Sequence, residues 1–465
     1  ISNTFTIQFI PIETSSSHGG PHLDSSMNYK QIITQKNRTM KSFTGKIGIL
    51  ALIVLLTAFH EKDERKEVKR LYPARVYPDR IVQSITADPT TQISISWRVS
   101  DSIPNGHIEY LPLHVNSNFD EKVREENAEL IPVTFEGITD HYFQAKLENL
   151  KPNTEYQVRV GHKDYMSEWF HVSTAEESPK PFHFLHFAGV QHDIKAFGPR
   201  IYRAAYKNFP EARFHIHSGD IVQARGGDND WGELTYSGSW MLGEKPMVPA
   251  AGNSDHWETK TKSVYNRTLY PQWNGIFNLP ANHPEKLKNL AYYFDYQGVR
   301  VITLYSGLEA AKEDRPTLID KKTQMTEGLF FKQVEWLKKV LEENTQQWVV
   351  VHLHHPVVCG RKERNYDMHE KYIKPVLEEY KADLVLQGHE HLYARGRSKN
   401  SNRPVYVTSK AGPRSKEVDH SREWIEKSVE KMQLYQVIYV SPGKLKIQAF
   451  NLKNDLVDEV ILKKD

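Results

Sequence analysis

Five loops, each placed after an apolar run of strand-like character, carry the polar side chains that most constrain the fold of this chain. They span residues 187–193, 218–222, 251–256, 351–356 and 388–391. The last four loops contain one carboxylate, one amide and three imidazoles, from Asp220, Asn253, His354, His389 and His391. Loops that follow the strands of an α/β sheet meet at one edge of that sheet, so we expect these donors to lie together. Such a mixture of oxygen and nitrogen ligands suits divalent zinc, manganese or iron, with one or two ions per chain.

The region that carries these loops alternates strand-like and helix-like segments, which is typical of an α/β fold. Residues 182–187 form a short apolar run that predicts a buried strand. Residues 333–341 repeat apolar side chains every three or four positions, which predicts an amphipathic helix. We therefore predict an α/β domain over residues 181–465.

Short strands of period two precede this domain. The runs Ile93–Trp97 and Tyr156–Val160 alternate apolar and polar residues, so that each predicts a strand with one buried face. The segment Leu150–Tyr156 resembles the corner motif of fibronectin type III sandwiches, in which a tyrosine hydroxyl binds nearby backbone. We therefore predict an all-β, fibronectin type III-like sandwich over residues 73–176.

The first 72 residues show no such periodicity. Residues 1–39 are expected to be disordered, or to be translated sequence upstream of a start at Met40. Two lysines and the apolar run Ile47–Phe59 then form the pattern of a signal peptide, too short to span a bilayer comfortably. We predict a signal peptide at 40–59, with a short membrane anchor as the alternative, and a charged linker at 60–72. The expected destination is outside the cytoplasm (periplasm, cell surface or medium), without a stable membrane span.

Composition narrows the set of partners. The chain has 61 basic and 58 acidic side chains and a net charge of +3, a balance that argues against nucleic acid as a partner. Its single cysteine, Cys359, excludes an intrachain disulfide and a thiolate metal cluster. We expect Cys359 to be a packed free thiol.

The order and spacing of Asp220, Asn253, His354, His389 and His391 resemble those of the calcineurin-like metallophosphoesterases. The β-rich domain ahead of them resembles the arrangement in the purple acid phosphatase branch of that superfamily. The resemblance covers residues 73 to 465 and implies an α/β four-layer sandwich, with mixed sheets flanked by helices. It also implies hydrolysis of a small-molecule or glycan-linked phosphate ester by a metal-bound hydroxide.

The same resemblance implies the role of each donor. Asp220 would bridge two metals, His391 would bind the first metal, and the second would be bound by Asn253, His354 and His389.

Three positions depart from the family pattern. Gly189 stands where the first loop of the family brings an aspartate ligand, and Ser254 stands where the third brings a histidine. Gln223 replaces the tyrosine that ligates iron in purple enzymes, so no purple colour is expected. The first metal would then keep only Asp220 and His391 as protein ligands.

Several residues near the predicted ligands are candidates for further roles in the site. Substitute metal ligands are expected among residues of the first loop: Gln191, His192 and Asp193. Two histidines, His355 and His256, are candidate catalytic groups that would stabilise developing charge. Two tryptophans, Trp231 and Trp257, are candidates for a substrate wall, with packing in an aromatic core as the alternative.

Two acidic positions receive weaker assignments. Glu390 lies between two histidine ligands and is expected to face solvent. The segment Asp228–Glu233 follows a Gly-Gly turn and is expected to cap a helix, with calcium binding as the alternative.

The residues leave three functions open. The first is an exported metal-dependent phosphoesterase with an atypical first metal site. The second is a metallophosphoesterase-fold binding module with impaired catalysis, which the changes at Gly189 and Ser254 favour and the retained donors oppose. The third is a mononuclear hydrolase of another ester, such as a sulfate.

Overall fold

The computed structural model of the protein describes residues 69–115, 122–261, 264–307, 325–362, 364–399 and 401–464, and gives the backbone alone for residues 259–261 and 264–266. The predicted N-terminal segment (1–39), the predicted signal peptide (40–59) and most of the predicted linker (60–72) lie outside these residues. Among the helices of the described residues, none has the length and apolar character that crossing a bilayer requires.

The N-terminal region is all-β, as the sequence predicts. Its strands are β1 (Asp79–Ser84), β2 (Ile93–Ser100), β3 (His107–Pro112), β4 (Arg124–Asn127), β5 (Glu129–Phe135), β6 (Ile138–Leu147), β7 (Glu155–His162), β8 (Tyr165–Met166) and β9 (Phe170–Ser173). Strands β1, β2, β6 and β5 lie side by side in one sheet, and β4, β3, β7 and β8 form a second sheet in which β9 also pairs with β7. The buried core of this sandwich includes Ile95, Trp97, Phe143 and Val158.

The predicted corner contact is present in the second sheet. The hydroxyl oxygen of Tyr156 accepts a hydrogen bond of 2.9 Å from the backbone N–H of Lys151. Such a bond ties the start of strand β7 to the turn before it. The closer likeness to fibronectin type III domains stays a prediction.

The region after residue 181 combines strands with helices. Its helices are α1 (Ile194–Asn208), α2 (Gly227–Leu242), α3 (Pro271–Ile276), α4 (Glu327–Glu342) and α5 (Lys374–Glu379), with a 3-10 turn at Asn253–Asp255 and a π turn at His369–Ile373. Its strands are β10 (Phe182–Phe187), β11 (His215–Ser218), β12 (Met247–Ala250), β13 (His256–Thr261), β14 (Val264–Leu269), β15 (Tyr292–Tyr296), β16 (Val299–Thr303), β17 (Trp348–Leu353), β18 (Leu384–Gln387), β19 (Tyr393–Gly396), β20 (Val405–Thr408), β21 (Ile425–Val429), β22 (Tyr435–Ser441), β23 (Lys444–Phe450) and β24 (Leu456–Lys463).

Two mixed sheets build this region, which confirms the predicted fold class. One has the strand order β15-β16-β17-β18-β20-β19-β21. The other begins β24-β23-β22-β10-β11-β12 and continues through a parallel pairing of β12 with β1 into the N-terminal strands β2, β6 and β5. That pairing joins Ser84 to Met247. The all-β and α/β regions therefore share one ten-stranded sheet.

The polar face of strand β2 is buried, although its period-two pattern predicts an exposed face, and Gln144 of the neighbouring strand β6 is buried with it. Ser96 donates its hydroxyl hydrogen to the carbonyl oxygen of Ile276, and the amide of Gln144 donates to the carbonyl of Gly275 at 3.0 Å. Both acceptors belong to helix α3 of the α/β region. The polar residues of this face therefore bind the neighbouring region instead of water.

A buried ion network reinforces this contact. Asp228, at the start of helix α2, accepts hydrogen bonds from Arg80 at 2.7 and 2.9 Å and from Arg70 at 3.0 Å. Arg98 lies 3.4 Å from the same carboxylate and 3.2 Å from Asp140. Burial raises the pKa of Asp228, but the guanidinium groups of Arg80, Arg98 and Arg70 together outweigh that effect, so that the pKa is lowered overall. The calcium alternative is therefore wrong, because this carboxylate is already surrounded by guanidinium groups.

We expect the substitution Asp228→Asn to lower the free energy of unfolding by about 3 kcal/mol, because it leaves buried guanidinium groups without their counter-charge. Urea unfolding at neutral pH measures the change. The matched control is Glu285→Gln, which breaks an ion pair with Lys332 whose two side chains are each 60% exposed. Equal changes in the free energy of unfolding for the two variants would contradict a stabilising role of the ion network around Asp228.

Buried histidines form part of the α/β core. His186, His215, His217 and His352 are each at most 1% exposed. Burial lowers the pKa of His186, His215 and His352 to about 3 in each case. These rings are therefore neutral, and these four of the 22 histidines in the chain are structural residues.

This core predicts acid sensitivity. Because the folded pKa values lie below the unfolded value of about 6.5, the stabilisation is fully present above about pH 6.5 and is lost as pH falls towards about 3. Each such group predicts a loss of up to about 1.4 kcal/mol per pH unit below about pH 6. Urea unfolding at successive pH values measures the slope. His215→Phe should make the slope shallower by up to about 1.4 kcal/mol per pH unit, whereas replacing the exposed His420 with phenylalanine should leave it unchanged; equal slopes for all three proteins would contradict the prediction.

Candidate metal centre

The four predicted ligands of one metal lie on loops that follow strands of both sheets. Strand β11 leads to Asp220, β12 to Asn253, β17 to His354 and β18 to His389. Strands β11 and β12 run parallel, as do β17 and β18. Their carboxyl ends therefore lie at one edge of each sheet, as the sequence predicts.

The imidazole of His354 lies at the middle of this group. Its Nδ1 donates to the carbonyl oxygen of Ser218 at 2.9 Å, which leaves Nε2 to face the other donors. Nε2 lies 3.2 Å from Oδ1 of Asp220, 3.1 Å from Oδ1 of Asn253 and 3.0 Å from Nδ1 of His389. One nitrogen and three further metal-binding atoms thus converge.

This donor set fits a divalent metal ion. Four atoms placed tetrahedrally at about 2.0–2.1 Å from zinc lie about 3.3–3.4 Å from one another, close to the separations around Nε2 of His354. Burial raises the pKa of Asp220, but His354, His389 and the backbone N–H of Ser254 together outweigh burial and lower it overall. The carboxylate is therefore ionised, as a ligand must be.

Two glycines make room for these side chains. A Cβ atom at Gly219, whose φ is +74°, would overlap the imidazole of His354. A Cβ atom at Gly252 would overlap the carboxylate of Asp220. The glycine that precedes each donor in the sequence is thus required by the close approach of the ligands.

The carboxylate of Asp255 holds two of the loops together. Its Oδ2 accepts from the backbone N–H groups of Asp220 at 2.8 Å and Gly252 at 2.7 Å. Its Oδ1 accepts from the N–H groups of Ile221 at 2.8 Å and Val222 at 3.1 Å. Asp255 is fully buried and fixes the distance between the Asp220 and Asn253 loops. The sequence alone does not indicate this role, because it comes from contacts with the backbone of a second loop.

Three donors adopt left-handed backbone conformations. The φ angles are +52° at Asp220, +66° at His389 and +54° at His391. Such conformations are uncommon for residues other than glycine and cost of order 1 kcal/mol each. They persist because surrounding contacts such as those of Asp255 over-determine the loops.

The position of the first metal contains Gln191. Its Nε2 donates to Oδ2 of Asp220 at 2.7 Å, and its Oε1 is buried without a hydrogen-bond partner. A Cβ atom at Gly189 would lie 3.1 Å from this Oε1 and 3.9 Å from Nδ1 of His391. Gly189 therefore faces His391, where the resemblance places the lost aspartate. The amide of Gln191 thus contacts Oδ2 of Asp220, the oxygen that a bridging role would use, and its role as a substitute ligand stays a prediction.

The other substitute ligands are placed differently. The ring of His192 lies 5.9 Å from that of His391, and its Nδ1 lies 2.9 Å from Oε1 of Gln223. Asp193 precedes helix α1 with an exposed side chain, so the structure does not bring it to the centre. Ser254 contacts the centre through its backbone, whose N–H donates to Oδ1 of Asp220 at 2.7 Å.

The two candidate catalytic histidines differ. His256 lies 2.9 Å from the carbonyl oxygen of Gly252 through Nδ1 and 2.9 Å from the hydroxyl of Tyr305 through Nε2. Both ring nitrogens are thus engaged, and burial lowers the pKa of His256 to about 4; its role as a catalytic group stays a prediction. His355 lies against the ligands, with ring centroids 4.2 Å from His389, and binds the hydroxyl of Ser306 at 2.8 Å.

The substrate wall is wrong for one of its two tryptophans. Trp231 is fully buried, and its ring centroid lies 6.0 Å from that of Tyr270 and 6.5 Å from that of Trp273. It therefore belongs to an aromatic core, which was the alternative to a substrate wall. Trp257 is half-buried and meets Phe135 edge-on at 5.1 Å. Its place in a substrate wall stays a prediction.

Glu390 does not face solvent. It is fully buried, and it accepts from the backbone N–H of Gly360 at 2.7 Å and from the thiol of Cys359 at 3.0 Å. The φ values of the flanking histidines turn the backbone so that Glu390 points inward. Burial raises the pKa of the Cys359 thiol, which agrees with the expected packed thiol.

Arg364 is a further residue that the sequence did not indicate. Its Nη1 lies 2.9 Å from Nε2 of His389. No motif marks an arginine in this loop, because the contact arises from the tertiary fold alone.

We expect Asp255→Asn to lower the free energy of unfolding by about 3 kcal/mol, because the amide nitrogen would face two buried N–H groups. Urea unfolding measures the change. The control is Asp193→Asn, the same substitution at an exposed position, which should change stability by less than about 0.5 kcal/mol. Equal effects would show that Asp255 does not hold the loops.

Comparisons with known proteins agree with this architecture. The family model described as calcineurin-like phosphoesterase matches residues 185–393. The model described as purple acid phosphatase, N-terminal domain, matches residues 78–174. Two uncharacterized proteins of Mycobacterium tuberculosis, from strains CDC 1551 and H37Rv, are each 25% identical over 274 residues, which cover 54% of this chain and 50% of theirs. The chain thus spans about half the length of the curated relatives it matches.

Solved structures share the fold at low sequence identity. Purple acid phosphatase PPD1 from yellow lupin (Lupinus luteus) seeds has a TM-score of 0.65 and 14% identity, over 84% of this chain and 75% of its own. PhoD has a TM-score of 0.60 and 12% identity, over 85% of this chain and 92% of its own. The chain therefore contains a calcineurin-like phosphoesterase domain at residues 185–393 and a purple acid phosphatase N-terminal domain ahead of it at residues 78–174.

Proposed function

We propose that this chain hydrolyses phosphate esters with one divalent metal ion, held by Asp220, Asn253, His354 and His389. The observation that carries the proposal is the convergence of three metal-binding atoms within 3.0–3.2 Å of Nε2 of His354. A buried set of one carboxylate, one amide oxygen and two imidazoles suits zinc, manganese or iron.

The metal supplies Lewis acidity when bound, which stabilises negative charge that develops on a phosphoryl oxygen. The surrounding residues keep the ligands in place. The carbonyl of Ser218 fixes the tautomer of His354, and Asp255 fixes the separation of the Asp220 and Asn253 loops.

The proposal assigns a single ion because the chain has replaced the first site. Gly189 provides no carboxylate, and Gln191 donates to the oxygen of Asp220 that a bridging role would need. Burial lowers the pKa of His391 to about 3, so this ring is neutral. His391 then borders the centre as a neutral hydrogen-bonding group.

We retain His355 as the group beside the ligands that stabilises developing charge. It is buried, burial lowers its pKa well below the usual value, and its ring is tilted against that of His389. A neutral imidazole in this place can hydrogen-bond a phosphoryl oxygen without repelling the metal.

The proposed substrate is a small-molecule or glycan-linked phosphate ester, since the family model and the donor set both favour phosphoester chemistry. Export is also proposed, on the apolar run Ile47–Phe59 and the lysines ahead of it.

A second candidate function is a binding module with impaired catalysis. The observation that favours it is the closure of the first metal position by Gln191, together with the serine at position 254. In that case the chain would bind metal or phosphate without turnover.

The test is hydrolysis of p-nitrophenyl phosphate and bis(p-nitrophenyl) phosphate by the chain supplied with zinc, manganese or iron. We expect Asn253→Ala to lower kcat/KM by about 100-fold, because one of the metal ligands is removed. The control is Asn208→Ala, at an exposed position in helix α1, which should retain activity. No hydrolysis by the wild-type chain would overturn the proposal and favour the binding module.

A further inference from the structure

A cleft of about 470 Å³ lies between the β-sandwich and helix α2. The sandwich contributes Glu168, Trp169 and Phe170 to its lining, and helix α2 contributes Tyr236 and Trp240. Its volume is within the roughly 300–1,000 Å³ that is typical of small-molecule sites. None of the proposed metal ligands lines this cleft, which we call the α2 cleft.

Aromatic side chains from both regions are accessible in the α2 cleft. The side chain of Tyr236 is 62% exposed, although the ammonium group of Lys195 lies 5.6 Å from its ring centroid. Trp169 and Trp240 are half-buried. Flat aromatic rings at an accessible position give the apolar surface on which the C–H face of a sugar ring can pack.

The floor of the α2 cleft is held in place by the chain itself. Arg98 donates to the carboxylate of Asp79 at 2.7 and 2.6 Å and to the carbonyl oxygen of Tyr72 at 2.9 Å. The ring of Tyr72 packs directly on helix α2, since a Cβ atom at Gly232 would overlap it. A site whose walls are already fixed loses little conformational freedom when a ligand binds.

The charges of the α2 cleft favour a neutral ligand. Its two arginines are each paired with a carboxylate, at 2.7 Å for Arg80 and 2.6 Å for Arg98. The other charged residues of the lining are Glu168, which is exposed, and Glu244, which is half-buried. The cleft therefore offers an anion no excess positive charge, and it offers hydroxyl groups two carboxylates that can only accept hydrogen bonds.

Two polar atoms of the lining side chains have no hydrogen-bond partner among the residues that the structure describes. They are the hydroxyl oxygen of Tyr72 and Nε of Arg80, and Arg80 is only 4% exposed. Native proteins leave few buried polar groups in this condition. A sugar hydroxyl both donates and accepts, so a polyhydroxyl ligand suits these donors and the carboxylates together.

We propose that the α2 cleft binds a short neutral oligosaccharide, as a site separate from the metal centre. The aromatic rings of both regions pack on the sugar faces, and the carboxylates accept hydrogen bonds from the sugar hydroxyl groups. Because no proposed metal ligand takes part, this assignment does not depend on the proposed hydrolysis.

The experiment measures binding of maltotriose, cellotriose and chitotriose to the full chain by isothermal titration calorimetry. We expect at least one of them to bind with a dissociation constant at or below about 1 mM. Tyr236→Ala should weaken that binding about 10-fold, because it removes an aromatic contact, and it should leave hydrolysis of p-nitrophenyl phosphate at the wild-type level. Glu168→Ala, a second variant at an exposed position on the sandwich, should also weaken the binding.

The matched control is Phe331→Ala, which removes a 39% exposed aromatic ring from helix α4 and should leave oligosaccharide binding unchanged. Wild-type affinity in both Tyr236→Ala and Glu168→Ala would overturn the assignment, as would binding of none of the three sugars. Binding of tetramethylammonium without any of the sugars would also overturn it, since the aromatic rings would then form a cation site. Hydrolysis of p-nitrophenyl phosphate in any of these cases would leave the proposed function standing.

Discussion

The hydrogen bond from Nδ1 of His354 to the carbonyl oxygen of Ser218 determines what the centre can hold. It commits the opposite nitrogen of the ring to Asp220, Asn253 and His389. The bond exists because strand β11, which ends at Ser218, delivers its last carbonyl to a histidine from strand β17 of the other sheet. The centre thus depends on how the two sheets are packed, and it brings together donors that are more than 100 positions apart.

The proximity of Asp220, Asn253, His354 and His389 could be predicted from sequence because each lies within three residues of the end of an apolar strand, so that secondary structure alone places it at the edge of a sheet. Glycines at positions 219, 252 and 388 strengthened that signal. Asp255, Gln191 and Arg364 could not be assigned in this way, since their roles come from contacts between loops. The predictions for Glu390 and Trp231 were wrong for a related reason. Left-handed backbone turns bury Glu390, tertiary packing buries Trp231, and neither effect can be predicted from the local sequence pattern.

The sequence predicted the fold class of each region, but not the strand pairing that joins the two regions. A hydrophobic period of two predicts strands and a period of 3.6 predicts helices, which distinguishes the all-β region from the α/β region. The structure contains both regions. The pairing of β1 with β12 and the ion network around Asp228 join the two regions. Strand pairing between distant segments leaves no mark on local periodicity, so the shared ten-stranded sheet could not be read from the sequence. The N-terminal region consequently shares the sheet that carries the Asp220 and Asn253 loops.

The central claim is a single metal ion held by Asp220, Asn253, His354 and His389, with Gln191 in the place of a second. Elemental analysis of the purified chain after metal loading and removal of excess metal tests it most directly. The account predicts one metal ion per chain for the wild type and none for His354→Ala. Two ions per wild-type chain would contradict the role of Gln191, and no bound ion would contradict the centre itself.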